Sequence, residues 1–282
     1  PAVTAQPSSD TSEAVMICMS LGGANVRPGP GTSTGGAIMR IDYLAEAKIL
    51  GVDKSRDPND PFTWINVEYQ GRKGWMREDL VRLKGNYEQF GLAFHDMYPS
   101  PAPDSWWARD FNHNAVFNPI LHDGWDHSGK IGVPIIGGPK GGLVIKTAIC
   151  AKCGANGSSS VDKGYAVSDS RVLSDPGWNY GYGNYVNVRY HHDLLPASVQ
   201  KRLADMGKAG WHIFVNHAHL HSISVQANQE FGPNTELGKM GNSGNSTGPH
   251  LHLEVRAHPD PNEKEWYRMK AGLMSPAILF LR

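Results

Sequence analysis

The chain has 282 residues, with 27 Lys plus Arg balanced by 27 Asp plus Glu. A formal net charge of zero excludes both a global basic footprint for nucleic acid and an acidic tail. Gly (32) and Pro (19) are over-represented, which excludes a coiled coil or helical bundle and favours short strands joined by turns. Histidine is the outlier at 13 residues. Most of these lie between His113 and His252, so metal or acid–base chemistry is expected in the second half of the chain. No apolar run reaches the roughly 18 residues of a membrane span.

In chain order, residues 1–13 are polar, with no basic or apolar leader pattern, and read as a disordered lead-in. Residues 14–83 read as a small β domain. AVMICM, AIMRIDYLAEAKILGV, TWINVEY and GWMREDLVRL are short apolar or alternating runs, separated by the turn signals PGPG, DPNDP and QGRKG. Such spacing suggests a small barrel with a core of Val26, Ile38, Ile49, Trp64, Val67 and Trp75. Cys18, inside an apolar run, is expected to be a buried small hydrophobe. Residues 84–110 read as a Pro-rich connector, extended and stiff around YPSPAPDSWW, with Trp106 and Trp107 positioned to dock it onto the second half of the chain.

Residues 111–282 are again strand-rich. GVPIIGG, GLVIKTAIC, NYVNVRY, HIFVNHAHL, SISVQ, ELGKMGN and HLHLEVR mostly alternate, as a half-buried antiparallel sheet requires. One helix interrupts them at roughly 195–208, with Pro196 in its first turn and Val199, Leu203 and Met206 on one face. The polar, Gly/Ser/Asp-rich stretch 151–182 reads as an inserted surface loop. Cys150 and Cys153 form an isolated CxxC at its start. The absence of a second CxxC argues against a zinc ribbon, and both a local disulfide and a pair of inert thiols fit the spacing.

Three histidine clusters stand out: His122-Asp123-Gly124-Trp125-Asp126-His127, His217-Ala218-His219-Leu220-His221 and His250-Leu251-His252. Residues i and i+2 of a strand project from one face, so His250 and His252 can look into one site, and His217, His219 and His221 can do likewise. His122 and Asp126 are four apart with Gly124 between them to allow a bend. Three such ligands suit a catalytic zinc, which keeps its fourth position open. Each spacing alone arises readily by chance in so histidine-rich a chain; their surroundings decide.

Those surroundings carry two resemblances. ANVRPGPGTSTGGAI, Trp64-Ile65-Asn66-Val67 and Gly74-Trp75-Met76 resemble segments of bacterial SH3-like (SH3b) domains. The run Gly241-Asn242-Ser243-Gly244-Asn245-Ser246-Thr247-Gly248-Pro249-His250-Leu251-His252 closely resembles the signature of lysostaphin-type (LytM-like) zinc endopeptidases. The family's H-x-G-x-D element is matched by His122, Gly124 and Asp126. Gly181-Tyr182-Gly183-Asn184 resembles its G-Y-G-N strand, and Ala218-His219-Leu220 its Y-A-H-L. Order and spacing agree over about 120 to 257.

The resemblance implies a mainly β (β-rich α+β) protein: an N-terminal SH3-like barrel and, over 111–282, an antiparallel-sheet zinc peptidase domain with one inserted helix. It implies Zn2+ held by His122, Asp126 and His252, with His219 and His250 as catalytic histidines. His217 and His221 would share the face of His219 if the strand is regular, as supporting or simply exposed residues. The implied substrate is the peptide part of bacterial peptidoglycan, a cross-bridge or stem peptide. The implied location is extracellular or at the cell envelope, secreted or virion-associated. A silent or latent wall-binding, regulatory or virion structural protein is the alternative. Three departures from the family pattern bear on substrate shape: His217 in place of Tyr, and the extra segments 150–178 and 193–210, either of which could wall a groove. His95, Asp96, His113 and Asn114 of the upstream segment are candidates to close the zinc position and render the enzyme latent.

Overall fold

A computed structural model describes residues 12–20, 22–58, 60, 62–92, 97–111 and 121–281. The four latency candidates lie outside the described residues. The protein is mainly β, and every pairing between its strands is antiparallel among the described residues. Among the described residues, helix is confined to short 3-10 turns and two α-helices, α1 (Ser170–Leu173) and α2 (Ala197–Asp205). No helix among the described residues is long and apolar enough to cross a membrane.

The chain divides into two compact units. The first comprises residues 1–97, 197–207 and 281–282. Its strands are β1 (Val15–Cys18), β2 (Ala24–Val26), β3 (Met39–Ile41), β4 (Glu46–Lys54), β5 (Thr63–Tyr69), β6 (Arg72–Arg77) and β7 (Val81–Lys84). They form a five-stranded sheet in the order β6-β5-β4-β1-β7 and a β2-β3 ribbon. Alternation places Met16, Val26, Ile49, Ile65, Val67 and Met76 in one core. Trp64 is buried as expected, but Ile38 is 37% exposed, just outside β3. Trp75 is only half-buried, because the inward positions of β6 are Gly74 and Met76. Cys18 is buried, with its Sγ donating to the Ile41 carbonyl at 3.5 Å.

Helix α2 belongs to this first unit although its sequence interrupts the second. Val199 and Leu203, one turn apart, are its buried residues. Arg202 meets the buried Glu78 at 3.0 Å. The 193–210 insertion therefore contributes its helix to the small unit, and none of its residues lines the cleft around the histidine clusters.

The second unit comprises residues 98–196 and 208–280. Its strands are β8 (Trp106–Arg109), β9 (Gly124–Ser128), β10 (Pro134–Ile136), β11 (Gly142–Ala148), β12 (Asn184–Tyr190), β13 (His212–Ile223), β14 (Glu230–Phe231), β15 (Glu236–Met240), β16 (His250–His258) and β17 (Leu273–Met274). The main path runs β14-β11-β12-β13-β16-β9-β8, with β10, β15 and β17 attached. SISVQ is not a separate strand, since β13 runs on through Ile223. The Trp pair of the Pro-rich stretch forms the edge strand β8. Trp107 is buried against Trp125, ring centroids 4.2 Å apart, and Trp106 is exposed. On the core face, Val215, His217, Leu251, Leu253, Val255 and Trp125 are all fully buried. The opposite face of β9, β13 and β16 carries the polar site.

Candidate metal and catalytic site

β16 and β9 lie side by side with His252 directly across from Asp126, so the two side chains emerge on one face. The glycine between His122 and Asp126 has a steric reason. A Cβ on Gly124 would sit 2.3 Å from the Leu253 carbonyl oxygen and 3.0 Å from the His252 ring, so only glycine lets β9 approach β16 this closely.

His122, Asp126 and His252 come together as a potential metal-binding group. His122 Nε2 is 3.1 Å from Asp126 Oδ1, His252 Nδ1 is 3.0 Å from the same oxygen, and the two ring nitrogens are 3.2 Å apart. Ligand atoms around a tetrahedral zinc, with bonds of about 2.0–2.1 Å, stand about 3.3 Å from one another. The donor set therefore fits zinc in type and spacing. The His122 tautomer also fits. Its Nδ1 donates to the Asp110 carbonyl at 2.8 Å, which leaves the Nε2 lone pair facing the site.

His252 has its own support. Its Nε2 lies 3.8 Å from Glu254, a charge contact longer than a hydrogen bond. Glu254 is fully buried and accepts from Tyr182 Oη at 2.8 Å and from Arg256 Nε at 2.7 Å. A carboxylate behind a ligating histidine fixes its ring and raises its basicity. Burial opposes charge on His252, but the Asp126 and Glu254 carboxylates outweigh it and raise this ring to about 9. Burial likewise opposes charge on Asp126, yet the bonds from His122 and His252 hold its carboxyl far below the usual range. Glu254, Arg256, Tyr182 and Asp110 were not singled out from the sequence as site residues. The E-x-R after H-x-H, with alternation to place Glu254 on the His252 face, was the signal available.

His219 reaches the site by an irregularity. Across β13 and β16, Ala218 pairs with His252 and His217 with Leu253. In a regular strand His217, His219 and His221 would thus all lie on the Leu253 face, away from His250 and His252. The register with β12 shifts between His217 and Leu220, and His219 adopts φ 62°. This β-bulge re-aims one side chain. The His219 ring then packs 4.5 Å from His250 and 5.9 Å from His252, centroid to centroid. His217 stays fully buried on the core face with Nδ1 at 3.4 Å from the Val186 carbonyl, and burial lowers it to about 4. His221 is exposed. The face-sharing expected for these two residues fails because the strand is bulged between them.

His219 and His250 are oriented alike. His219 Nδ1 donates to the Ser243 carbonyl at 2.7 Å, and His250 Nδ1 to the Gly248 carbonyl at 2.8 Å, with Ser246 Oγ at 3.1 Å. Each ring keeps Nε2 as its free acceptor. Burial pushes both below the ordinary histidine value, and the other histidines push His219 down further. Both are therefore neutral near pH 7 and able to accept a proton.

These residues line a cleft of about 390 Å3, within the usual range of ligand sites. The insertion supplies one wall through Val167, Ser168 and Leu173, continued by Tyr180. Of the two states open to its cysteines, the structure has the disulfide, Cys150–Cys153.

Comparison with known proteins gives one family match. Residues 202–264 match the model described as peptidase family M23. No match was found among curated proteins. Among solved structures, the chain is similar to the catalytic domain of a mutant of the prophage-encoded M23 protein EnpA from Enterococcus faecalis. That match has 18% identity and a TM-score of 0.37, over 60% of this chain and 92% of that one. It is also similar to the catalytic domain of the antimicrobial peptidase lysostaphin from Staphylococcus simulans, with 17% identity and a TM-score of 0.33 over 57% and 86%. A zinc-containing peptidase from Vibrio cholerae matches with 18% identity and a TM-score of 0.35, over 72% of this chain and 50% of that one.

Proposed function

We propose that this chain, a peptidase of family M23 by its matched segment, is a zinc-dependent endopeptidase that hydrolyses peptide bonds of bacterial peptidoglycan. The observation that carries the reading is the His122–Asp126–His252 donor set beside two neutral, pre-oriented histidines in one cleft. Zinc held by those three residues would polarise the scissile carbonyl and acidify a water. Asp126 offsets part of the ion's charge.

His219 and His250 do the proton work. The chain has no glutamate base of the HExxH kind. A neutral ring with its Nδ1–H committed to a backbone carbonyl presents a bare Nε2, which can take a proton from the attacking water and return it to the leaving amine. The second ring can donate to the oxyanion of the tetrahedral intermediate only after its Nε2 takes up a proton from solvent, which returns to solvent when the product leaves. Burial and the fixed carbonyl partners set both rings before substrate arrives, so little reorganisation is needed during the reaction.

The reading extends to the small N-terminal unit as a wall-binding or spacer SH3-like domain, and to action outside the cell or at its envelope. A catalytic unit tethered to a wall-binding unit gains effective concentration on an insoluble polymer. The test is mass spectrometry of fragments released from purified glycine-bridged and directly cross-linked walls, with His252→Ala protein as control. New peptide amines without new reducing sugar ends, absent from the control digest, are expected. New reducing ends, or equal release by the variant, would overturn the reading.

A further inference from the structure

The insertion that walls the cleft is built as a rigid part. Its inner side packs the Cys150–Cys153 disulfide against Trp178 and Val172, with Tyr165 beside them. It is bonded to the loop that leads to His250. Ser160 N donates to the Gly244 carbonyl at 2.7 Å, Ser168 N to Asn245 Oδ1 at 2.8 Å, and Asn245 N to the Gly181 carbonyl at 2.7 Å. A wall held this way keeps a fixed distance from the catalytic histidines.

Its outer side does the opposite of what a core-building segment does. Val167, Leu173 and Tyr180 line the cleft and remain 57%, 41% and 59% exposed. Tyr180 is also held in an unfavourable backbone conformation, φ 55° and ψ 35°, directly after Asn179 at φ 50° and ψ 43°. Two successive non-glycine residues in the left-handed region are uncommon, and a bulky one is an outlier worth a functional explanation. The Tyr180 N–H is fixed to the Asp175 carbonyl at 3.1 Å. No core position accounts for a side chain presented there; the cleft does.

We infer that this wall is a side-chain-selective subsite. It takes a substrate residue bearing an apolar side chain next to the scissile bond, with Tyr180 as its main contact and Leu173 and Val167 as its floor. The inference rests on the peptidase reading and sharpens its substrate class. A glycine stretch has no side chain to bury against an apolar wall, whereas an alkyl side chain removes both surfaces from water. The favoured substrate is thus a stem-type peptide with side chains at the cleavage point, not a polyglycine bridge.

The test uses zinc-loaded protein and two uncleavable reduced-amide peptides of equal length and charge, all-glycine and glycine with one leucine beside the reduced bond. Isothermal titration calorimetry reads their affinities. The leucine peptide should bind about tenfold more tightly, the scale of partly burying one such side chain. Tyr180→Ala should bring the two within about twofold with zinc content unchanged, since the lost contact is apolar area and not a ligand. Tyr267→Ala, which removes an aromatic that is 67% exposed and outside the cleft, should keep the preference. Equal affinities in the unaltered protein, or a preference that survives both Tyr180→Ala and Leu173→Ala, would overturn the inference. The natural-amide peptides separate it from the parent reading. Faster cleavage of the all-glycine peptide would overturn the subsite and leave the peptidase. The predicted binding preference with no cleavage of either would support the subsite and overturn the peptidase.

Discussion

Strands β13 and β16 both carry histidines two residues apart, and they deliver them by different means. β16 is regular through the site. His250 and His252 share its polar face, and Glu254 comes two residues on, so one alternation supplies a proposed base, a proposed ligand and the ligand's support. β13 would bury its histidines if it were equally regular, because His217 pairs with Leu253 in the core. A bulge with His219 at φ 62° turns that one ring to the polar face and leaves His217 behind. The site therefore combines a part made by repetition with a part made by interrupting it. The interruption is costly, a non-glycine residue in the left-handed region, which is the sort of local strain that functional sites hold.

The contrast can be broken most severely on β16. His252→Ala should remove zinc and reduce wall hydrolysis to the uncatalysed background. Metal analysis beside a hydrolysis assay checks both; retained zinc would show that the ligand set lies elsewhere. On the bulge, His219→Ala should keep zinc and lose about 10²–10⁴-fold in rate, the range of general acid–base and oxyanion contributions. Loss of zinc in that variant would make His219 a ligand and erase the division of labour between the strands.

Smaller effects sharpen it. Glu254→Gln keeps the shape but removes the charge behind His252, and zinc affinity should fall about 10–100-fold, as for other partners of metal ligands. Competition with a chelator measures this, and an unchanged affinity would reduce Glu254 to packing. His217→Leu tests the residue the bulge leaves in the core. Its folded value of about 4 lies below the ordinary 6.5, so between these values the unfolded chain binds a proton that the folded chain does not. Its contribution, on the order of 3 kcal/mol, is whole above the ordinary value and is lost as pH falls toward about 4. The leucine variant of the metal-free protein should show a shallower loss of stability between pH 6.5 and 4, with activity at pH 7 unchanged. His212, also lowered to about 4, and His219 and His250, both held below the ordinary histidine value, keep the remaining slope. A slope equal to that of the unaltered protein would mean that His217 takes up no proton on unfolding.

Alternation read from the sequence carries as far as alternation holds. The antiparallel β architecture and the strands around the H-x-H pattern come from period-two patterning, whereas the joining of His252 to the H-x-G-x-D element came from the resemblance, and the structure supplies its steric reason at Gly124. The bulge does not, because nothing in His-Ala-His-Leu-His marks where a left-handed residue interrupts the period. Trp75 was expected inside as a large apolar residue, but the pleat of β6 gives the inward positions to Gly74 and Met76, and Ile38 falls just outside β3, where alternation does not place it. The grouping of α2 with the small unit was also not legible, because amphipathicity shows that a helix buries Val199 and Leu203 and not which core receives them.

The most direct measurement is an anomalous difference map at the zinc edge from crystals grown with zinc. The account predicts one strong peak bonded to His122 Nε2, the Asp126 carboxylate and His252 Nδ1, with His219 and His250 in the cleft but beyond bonding distance. A peak bonded to His219 or His250, or none among these five residues, would contradict it.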